Sequence, residues 1–324
     1  MKTLDLTKYG LQRVSFFLAL EKYLLASPRW QKEELFFIWD KYPAIVCGKH
    51  QLIPAEVNME VVQRLNVPIY RRHSGGGTIY ADDGCFMFTF LKRSQQRNDV
   101  FRECLSHIER SFKLLNLDVY LSGRNDLMFR EKKFSGNAYY RNEFGSVLHG
   151  TLLHHTNFED MVRLITPDND KLISKGIESV RQRVINMGDY MSLSKYELMC
   201  HLENSIAGER VCLTDEEFNK VSQMEAEYLS AEWMEGNNPP YTFSNKHRFD
   251  FGLIEARVDV KNDIIRNINL TGDFFTHKEL TPIYETLQGV TFCSDAVRAA
   301  LQPFRIEDFI LGATIDNILE LLFL

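Results

Sequence analysis

The chain has 324 residues, 44% of them hydrophobic, enough to fill roughly two domain cores. Its formal net charge of −6 gives no general attraction for polyphosphate, which excludes an extended nucleic-acid surface. The six cysteines (Cys47, Cys85, Cys104, Cys200, Cys212 and Cys293) show no CxxC pair and no zinc spacing, which excludes a disulfide frame and fits a cytoplasmic protein.

Leu11, Val14, Leu18 and Leu25, with Phe17 and Leu24 beside them, recur at helical spacing until Pro28 and predict an opening amphipathic helix. Charged flanks and the lack of a small-residue cleavage site argue against a signal peptide, and no apolar run approaches the roughly 20 residues that span a bilayer. The β-rich runs LFFIWD, AIVCGKH, VPIYRRHS, GTIYADD and GCFMFTFLK follow, separated by Pro, Gly or Asp, and are expected to be strands of one sheet. Val100 to Leu115 carries a second helical face, and DVYLS, DLMF, KFSGNAYY and SVLHGTLLHH return to strand. This is an α+β order, with helices between consecutive strands. From about Asp160 to Glu232 the pattern is helical and charged until NNPP, Asn237 to Pro240, breaks it. Beyond lie strands around the turn Lys261-Asn262-Asp263 and helical runs near Leu280, Val297 and Phe309, a second domain from about residue 246.

Four segments carry possible chemistry. In RRHSGGGTIYADDG, Arg71 to Gly84, three adjacent glycines imply unusual backbone angles or close approach; either a glycine hairpin turn or a phosphate cradle explains them, and no GK[ST] marks a P-loop. In GRNDLMFREKKFSGNA, Lys133 precedes Ser135, Gly136 and Ala138, small residues beside a cation, or else Lys132 and Lys133 form a solvated hairpin tip. In LHGTLLHH, His149, Thr151, Leu153 and His155 share one face, but same-face residues six apart on a strand lie roughly 20 Å from each other, too far for one metal ion. In DKLISKGIESVRQRVINM, Lys171, Lys175, Arg181 and Arg183 form either a solvated face or a polyanion contact.

Together, in this order, these segments resemble the lipoate-protein ligase A family. The likeness adds LEKYLL in the first helix, GKHQ at Gly48 to Gln51, Trp233 with Gly236 and Pro240, and GDFF at Gly272 to Phe275. It implies a large catalytic domain akin to class II aminoacyl-tRNA synthetases and biotin ligases over residues 1–245, with a small α/β accessory domain over 246–324. The implied reaction joins lipoate to ATP as lipoyl-AMP, releases pyrophosphate, and passes the lipoyl group to a carrier lysine. The implied partners are the lipoyl domains of 2-oxoacid dehydrogenase acyltransferase subunits or the glycine cleavage carrier protein, with no nucleic acid and no membrane.

By resemblance, Lys133 is the catalytic cation, contacting the acyl carbonyl and the adenylate phosphate. Arg72, Ser74, Gly75, Gly76, Gly77, Thr78, Ser135, Gly136, Ala138, His149, Gly150 and Thr151 bind lipoate or adenylate. Asn125, Asp126 and Arg183 meet the ATP phosphates, with Asp126 toward Mg²⁺. Two departures stand out: Ala81-Asp82-Asp83-Gly84-Cys85 replaces the family's His-Asp-x-Gly-Asn, and Glu131 replaces a turn glycine. The alternatives are an ATP-independent octanoyl or lipoyl transferase using Cys85, and a non-catalytic acyl-adenylate-binding protein.

Overall fold

The computed structural model describes residues 1–94, 97–123, 125–165, 170–236 and 238–323. The side chains of Lys171 and Lys175, with Asn237 of the NNPP break, lie outside the described residues. These residues divide into two compact units. The first comprises 1–46, 56–71 and 79–230; the second comprises 47–55, 72–78 and 231–324.

The first unit is built on a sheet of eight strands. In chain order they are β1 (Lys2–Leu4), β2 (Leu35–Trp39), then, beyond the small sheet of β3 (Ala44–Cys47), β4 (Ile69–Arg71) and β5 (Ile79–Ala81), β6 (Cys85–Lys92), β7 (Tyr120–Ser122), β8 (Asp126–Phe129), β9 (Lys132–Asn142), β10 (Gly145–Leu153) and β11 (Arg210–Val211). The large sheet runs β11-β1-β2-β6-β10-β9-β8-β7, and the small one β4-β3-β5. The five β-rich runs expected in one sheet therefore split between two. The glycine segment is also not a hairpin turn, because β3 lies between the strands it joins.

Period-2 alternation decides the faces of the large sheet. Phe36, Phe86, Phe88, Phe90, Leu148 and Leu152 turn toward the helix Arg97–Lys113 and form the main core with Val100, Leu105 and Ile108. The helix Val14–Ala26 belongs to the opposite face, where its Glu21 reaches β6 and β10. That helix starts three residues later than the periodicity predicts: Leu11 is exposed, and Arg13 at the helix start has extended backbone.

The second unit contains an antiparallel sheet, β12 (Phe243–Phe249), β13 (Gly252–Lys261) and β14 (Ile264–Gly272). Asn262 and Asp263 both take φ near +55° (53° and 58°) between β13 and β14, as a two-residue hairpin turn requires. Helices Thr281–Leu287, Ser294–Leu301 and Ile315–Phe323 cover the sheet through Ile283, Leu287, Val297, Leu301, Leu319 and Leu322. The last of these helices has no counterpart among the predicted elements. No helix among the described residues is long and apolar enough to cross a membrane.

Candidate functional site

The hairpin β8–β9 positions Lys133. Its loop is Arg130-Glu131, with φ of 49° and 61°, a left-handed pair that usually needs glycine. The departure at Glu131 therefore keeps the turn and carries its strain. Tyr120 donates to Glu131 Oε1 at 2.8 Å, and the Arg130 guanidinium lies over the rings of Phe129 and Tyr190.

A β-bulge follows. Met128 pairs with Lys133 but Leu127 pairs with Ser135, so Phe134 is the extra residue. Without the bulge Lys133 and Gly136, three apart, would face opposite ways; with it they meet. A Cβ on Gly136 would lie 2.8 Å from the Lys133 ammonium and 2.9 Å from its Cε. With glycine there the lysine lies along the strand; a larger residue would displace its flexible end. The ammonium pairs with Asp126 Oδ1 at 2.8 Å, and both side chains are about one-third exposed (38% and 33%). Such a pair is worth no more than about 1 kcal/mol, so it orients the cation without fixing it. Lys132 instead donates to the Arg181 carbonyl at 2.9 Å.

Gly136, Ala138, His149 and Thr151 share the face of Lys133. His149 stands opposite Ala138 on one side and Thr89 on the other, and the Gly136 N–H donates to Thr151 Oγ1 at 3.4 Å. Beneath this face runs a buried polar chain. Trp39 Nε1–H donates to Thr89, Thr89 donates to Glu21 Oε1 at 2.6 Å, and His149 Nδ1–H donates to both Glu21 oxygens at 3.0 Å. Alternation places Thr89 on this face and Glu21 lies within LEKYLL, but sequence reasoning missed the chain that joins them to Trp39 and His149, since a lone Glu in an apolar helix and a lone Thr in FMFTF do not name their partners.

Ser135 and Gly150 lie on the other face, against the main core. Ser135 is fully buried and donates to Asn137 Oδ1 at 3.4 Å, while a Cβ on Gly150 would collide with that oxygen (2.1 Å) and with Phe88 (2.6 Å). Asn125 and Asn137 tie β8 to β9: Asn125 Nδ2 donates to the Asn137 carbonyl at 2.5 Å, and Asn137 Nδ2 to the Asn125 carbonyl at 2.8 Å. Arg183 ends the helix Asp170–Arg183, exposed, and the next residues bridge to β9 through Ile185 N–H to the Lys133 carbonyl at 2.9 Å.

Cys85 is fully buried, and burial pushes its thiol pKa up, against the partial opposition of Lys41. Lys41 is itself wholly buried and donates to the carbonyls of Asp82 and Cys85.

In the second unit Arg72 organises the glycine loop. Its Nε donates to Ser74 Oγ at 3.0 Å, and Nη2 donates to the carbonyls of Gly75 and Gly77, both at 2.8 Å. Burial draws this guanidinium's pKa down to about 10. Gly75 is required by the protein's own backbone, since a Cβ there would lie 2.2 Å from the Phe274 carbonyl oxygen. Gly76 has φ +90° and packs under the Phe275 ring, whereas a Cβ on Gly77 would meet nothing. Thr78 donates to Gln51 Oε1 at 2.8 Å, the same atom that accepts the Gly48 N–H.

The family model for the lipoyl protein ligase A/B catalytic domain matches residues 14–206, and that for the bacterial lipoate protein ligase C-terminus matches 238–322. The chain is 32% identical over 281 residues to the probable lipoate-protein ligase A of Mycoplasma pneumoniae, covering 84% of this chain and 83% of that protein. Among solved structures, P. falciparum LipL1 in complex with lipoate superposes with a TM-score of 0.76 at 20% identity, covering 95% of each chain. A lipoate-protein ligase A bound with ATP superposes at 0.62 with 20% identity, covering 72% of this chain and 98% of that one. The catalytic-domain match covers more than half of the chain, and the relative's identity extends through most of both proteins; this chain is a ligase and belongs to the lipoate-protein ligase A family.

Proposed function

We propose that the protein activates lipoate with ATP to lipoyl-AMP and then transfers the lipoyl group to a lysine of a lipoyl carrier domain. The observation that carries this reading is the Lys133 ammonium, aimed by a bulge, lying over a glycine and held by a one-third-exposed carboxylate. The lipoate and ATP bound to the structural relatives support it for this chain.

A carboxylate is a poor acylating agent, because a nucleophile attacking its carbon would have to expel oxide; a mixed anhydride with AMP supplies a good leaving group. As the lipoate oxygen attacks the α-phosphorus, charge builds on the phosphoryl oxygens and pyrophosphate departs. Lys133 would leave Asp126 for these oxygens. A charge-assisted hydrogen bond contributes about 1.5–3 kcal/mol, more than the surface pair it replaces. Gly136, Ala138, His149 and Thr151 would form the wall beside the acyl group, with Ser135 and Gly150 backing it. The loop from Ser74 to Thr78, shaped by Arg72, would present backbone groups to the adenylate. Asn125, Asp126 and Arg183 would face the ATP phosphates.

Magnesium fits the one-third-exposed Asp126 carboxylate, a hard oxygen donor, and when bound with ATP would neutralise phosphate charge. In the second step the carrier lysine must be neutral. At pH 7 only about one in a thousand is, at an ordinary pKa near 10.4, and nearby cations with desolvation would raise that fraction. Residues 1–245 would serve as the catalytic domain and 246–324 as an accessory domain, in a cytoplasmic enzyme whose carriers are lipoyl domains of 2-oxoacid dehydrogenases or the glycine cleavage system.

The burial and raised pKa of Cys85 favour this reading over thiol-based transfer, since a nucleophilic cysteine must be reachable and ionised. The test is lipoate-dependent exchange of labelled pyrophosphate into ATP, followed by lipoylation of an added carrier domain. Cys85→Ala should retain carrier modification within about tenfold, a change of about 1.4 kcal/mol. ATP-free acyl transfer accompanied by a hydroxylamine-sensitive adduct on Cys85 would favour the transferase instead.

A further inference from the structure

The glycine loop is clamped from within its own unit by residues about two hundred positions later in the chain. The Gly76 N–H donates to the Phe274 carbonyl at 3.4 Å. On Gly75, a Cβ would stand 2.2 Å from that same oxygen and 3.0 Å from Phe275 Cα; on Gly76, it would stand 3.0 Å from Phe275 Cζ. The segment 47–51 closes the other side, since a Cβ on Gly48 would lie 2.0 Å from the Gly76 carbonyl oxygen. The clamp is itself anchored. Gly272 N–H donates to the His50 carbonyl at 2.9 Å, the His50 ring stacks on Phe274 at 4.8 Å, and His50 Nε2 meets Thr276 Oγ1 at 3.1 Å. Phe274 and Phe275 are both buried.

We propose that Phe274 and Phe275 are positioning residues for the glycine loop: the carbonyl of one and the ring of the other set the conformations of Gly75 and Gly76, and through them the backbone groups offered to the reactants. The proposal rests on the reading that this loop serves acyl-adenylate formation. It gives the GDFF segment a task that its own hydrophobic packing does not require. Three glycines in a row otherwise sample many backbone states, and freezing them needs an external template. Arg72 restrains the loop's carbonyls from inside, while Phe274 and Phe275 restrain Gly75 and Gly76 from outside.

The full-length chain carrying Phe275→Ala or Phe275→Leu tests this, with Phe304→Ala as a control that alters a ring contact with Phe309 elsewhere in the unit. Amide hydrogen exchange is measured first, without substrates. Phe275→Ala should speed exchange across residues 72–78 by about tenfold or more, Phe275→Leu by less, and the control not at all. Unchanged loop exchange in a folded Phe275→Ala protein overturns the proposal, whatever the enzyme's activity. In pyrophosphate exchange, Phe275→Ala should raise KM for ATP or lipoate several-fold, with Leu restoring most of it; loss of folded protein alone would lower the maximal rate and leave KM unmoved. A loosened loop with wild-type KM and kcat overturns the positioning role. A wild-type chain without lipoate-dependent exchange sinks the proposed reaction instead, while hydrogen exchange still decides whether the clamp exists.

Discussion

The glycine loop and the β8–β9 hairpin each hold a cation beside glycine, and they use it in opposite ways. Arg72 is buried and gives its donors to Ser74, Gly75 and Gly77 of its own loop. Lys133 is partly exposed and is held by one exchangeable carboxylate. The first cation builds a surface, and the second remains available to act on what binds. Local spacing ranks them alike, because both are basic residues a few positions from glycine; the family resemblance alone separates them.

The sharpest test of that contrast is Lys133→Ala. Pyrophosphate exchange should fall by about a hundredfold to a thousandfold, the loss expected for one donor to a developing oxyanion, with melting temperature unchanged. Lys132→Ala should change turnover less than about threefold, because its ammonium serves a surface carbonyl. Near wild-type exchange by folded Lys133→Ala would remove the assigned role.

Arg72→Ala should act first on stability. It removes the guanidinium's bonds to the buried Gly75 carbonyl and the part-buried Gly77 carbonyl, and hydrogen bonds to charged groups are worth about 1.5–3 kcal/mol each, so denaturant titration should show a loss of about 3 kcal/mol. A variant that melts normally but fails in catalysis would make Arg72 a substrate ligand and erase the contrast.

Two substitutions divide the glycines themselves. Gly75→Ala meets the Phe274 backbone and should cost about 1–3 kcal/mol, whereas Gly77→Ala should alter stability by less than about 0.5 kcal/mol. Equal effects in parallel thermal melts would refute the packing account.

The smallest effect belongs to the hairpin turn. Glu131→Gly should relieve left-handed strain and add up to about 1 kcal/mol, reduced by the lost Tyr120 contact, with turnover unaltered. A destabilised variant would show that the Tyr120 bond outweighs the strain.

Much of this was legible in advance where local periodicity carries the information. The opening helix, the Phe-rich β6, strands β8 and β9 and the turn at Asn262-Asp263 all follow from spacing, whereas the β8–β9 turn lies at Arg130-Glu131 and not at a Lys132-Lys133 tip. The small sheet did not, since short β-rich runs do not say which neighbours they pair with. The bulge at Phe134 was invisible because alternation counts residues and cannot register an extra one. The burial of Glu21 was missed for the opposite reason: charged residues in apolar helices ordinarily face water, and only the tertiary partners His149 and Thr89 make burial tolerable. The dependence of Gly75 on Phe274 is likewise non-local.

The bulge has a consequence for mutational tolerance. Two adjacent lysines of identical chemistry invite the expectation that one can substitute for the other, yet a point substitution cannot turn Lys132 onto the face of Gly136, because that face is selected by the count of residues in β9. Between the turn and Ser135, gaining or losing a single codon would exchange which side chains meet the core and which meet the open face. Insertions and deletions in this short stretch should therefore be tolerated far less than substitutions at Lys132, and a deep mutational scan that includes single-codon indels would display that asymmetry directly.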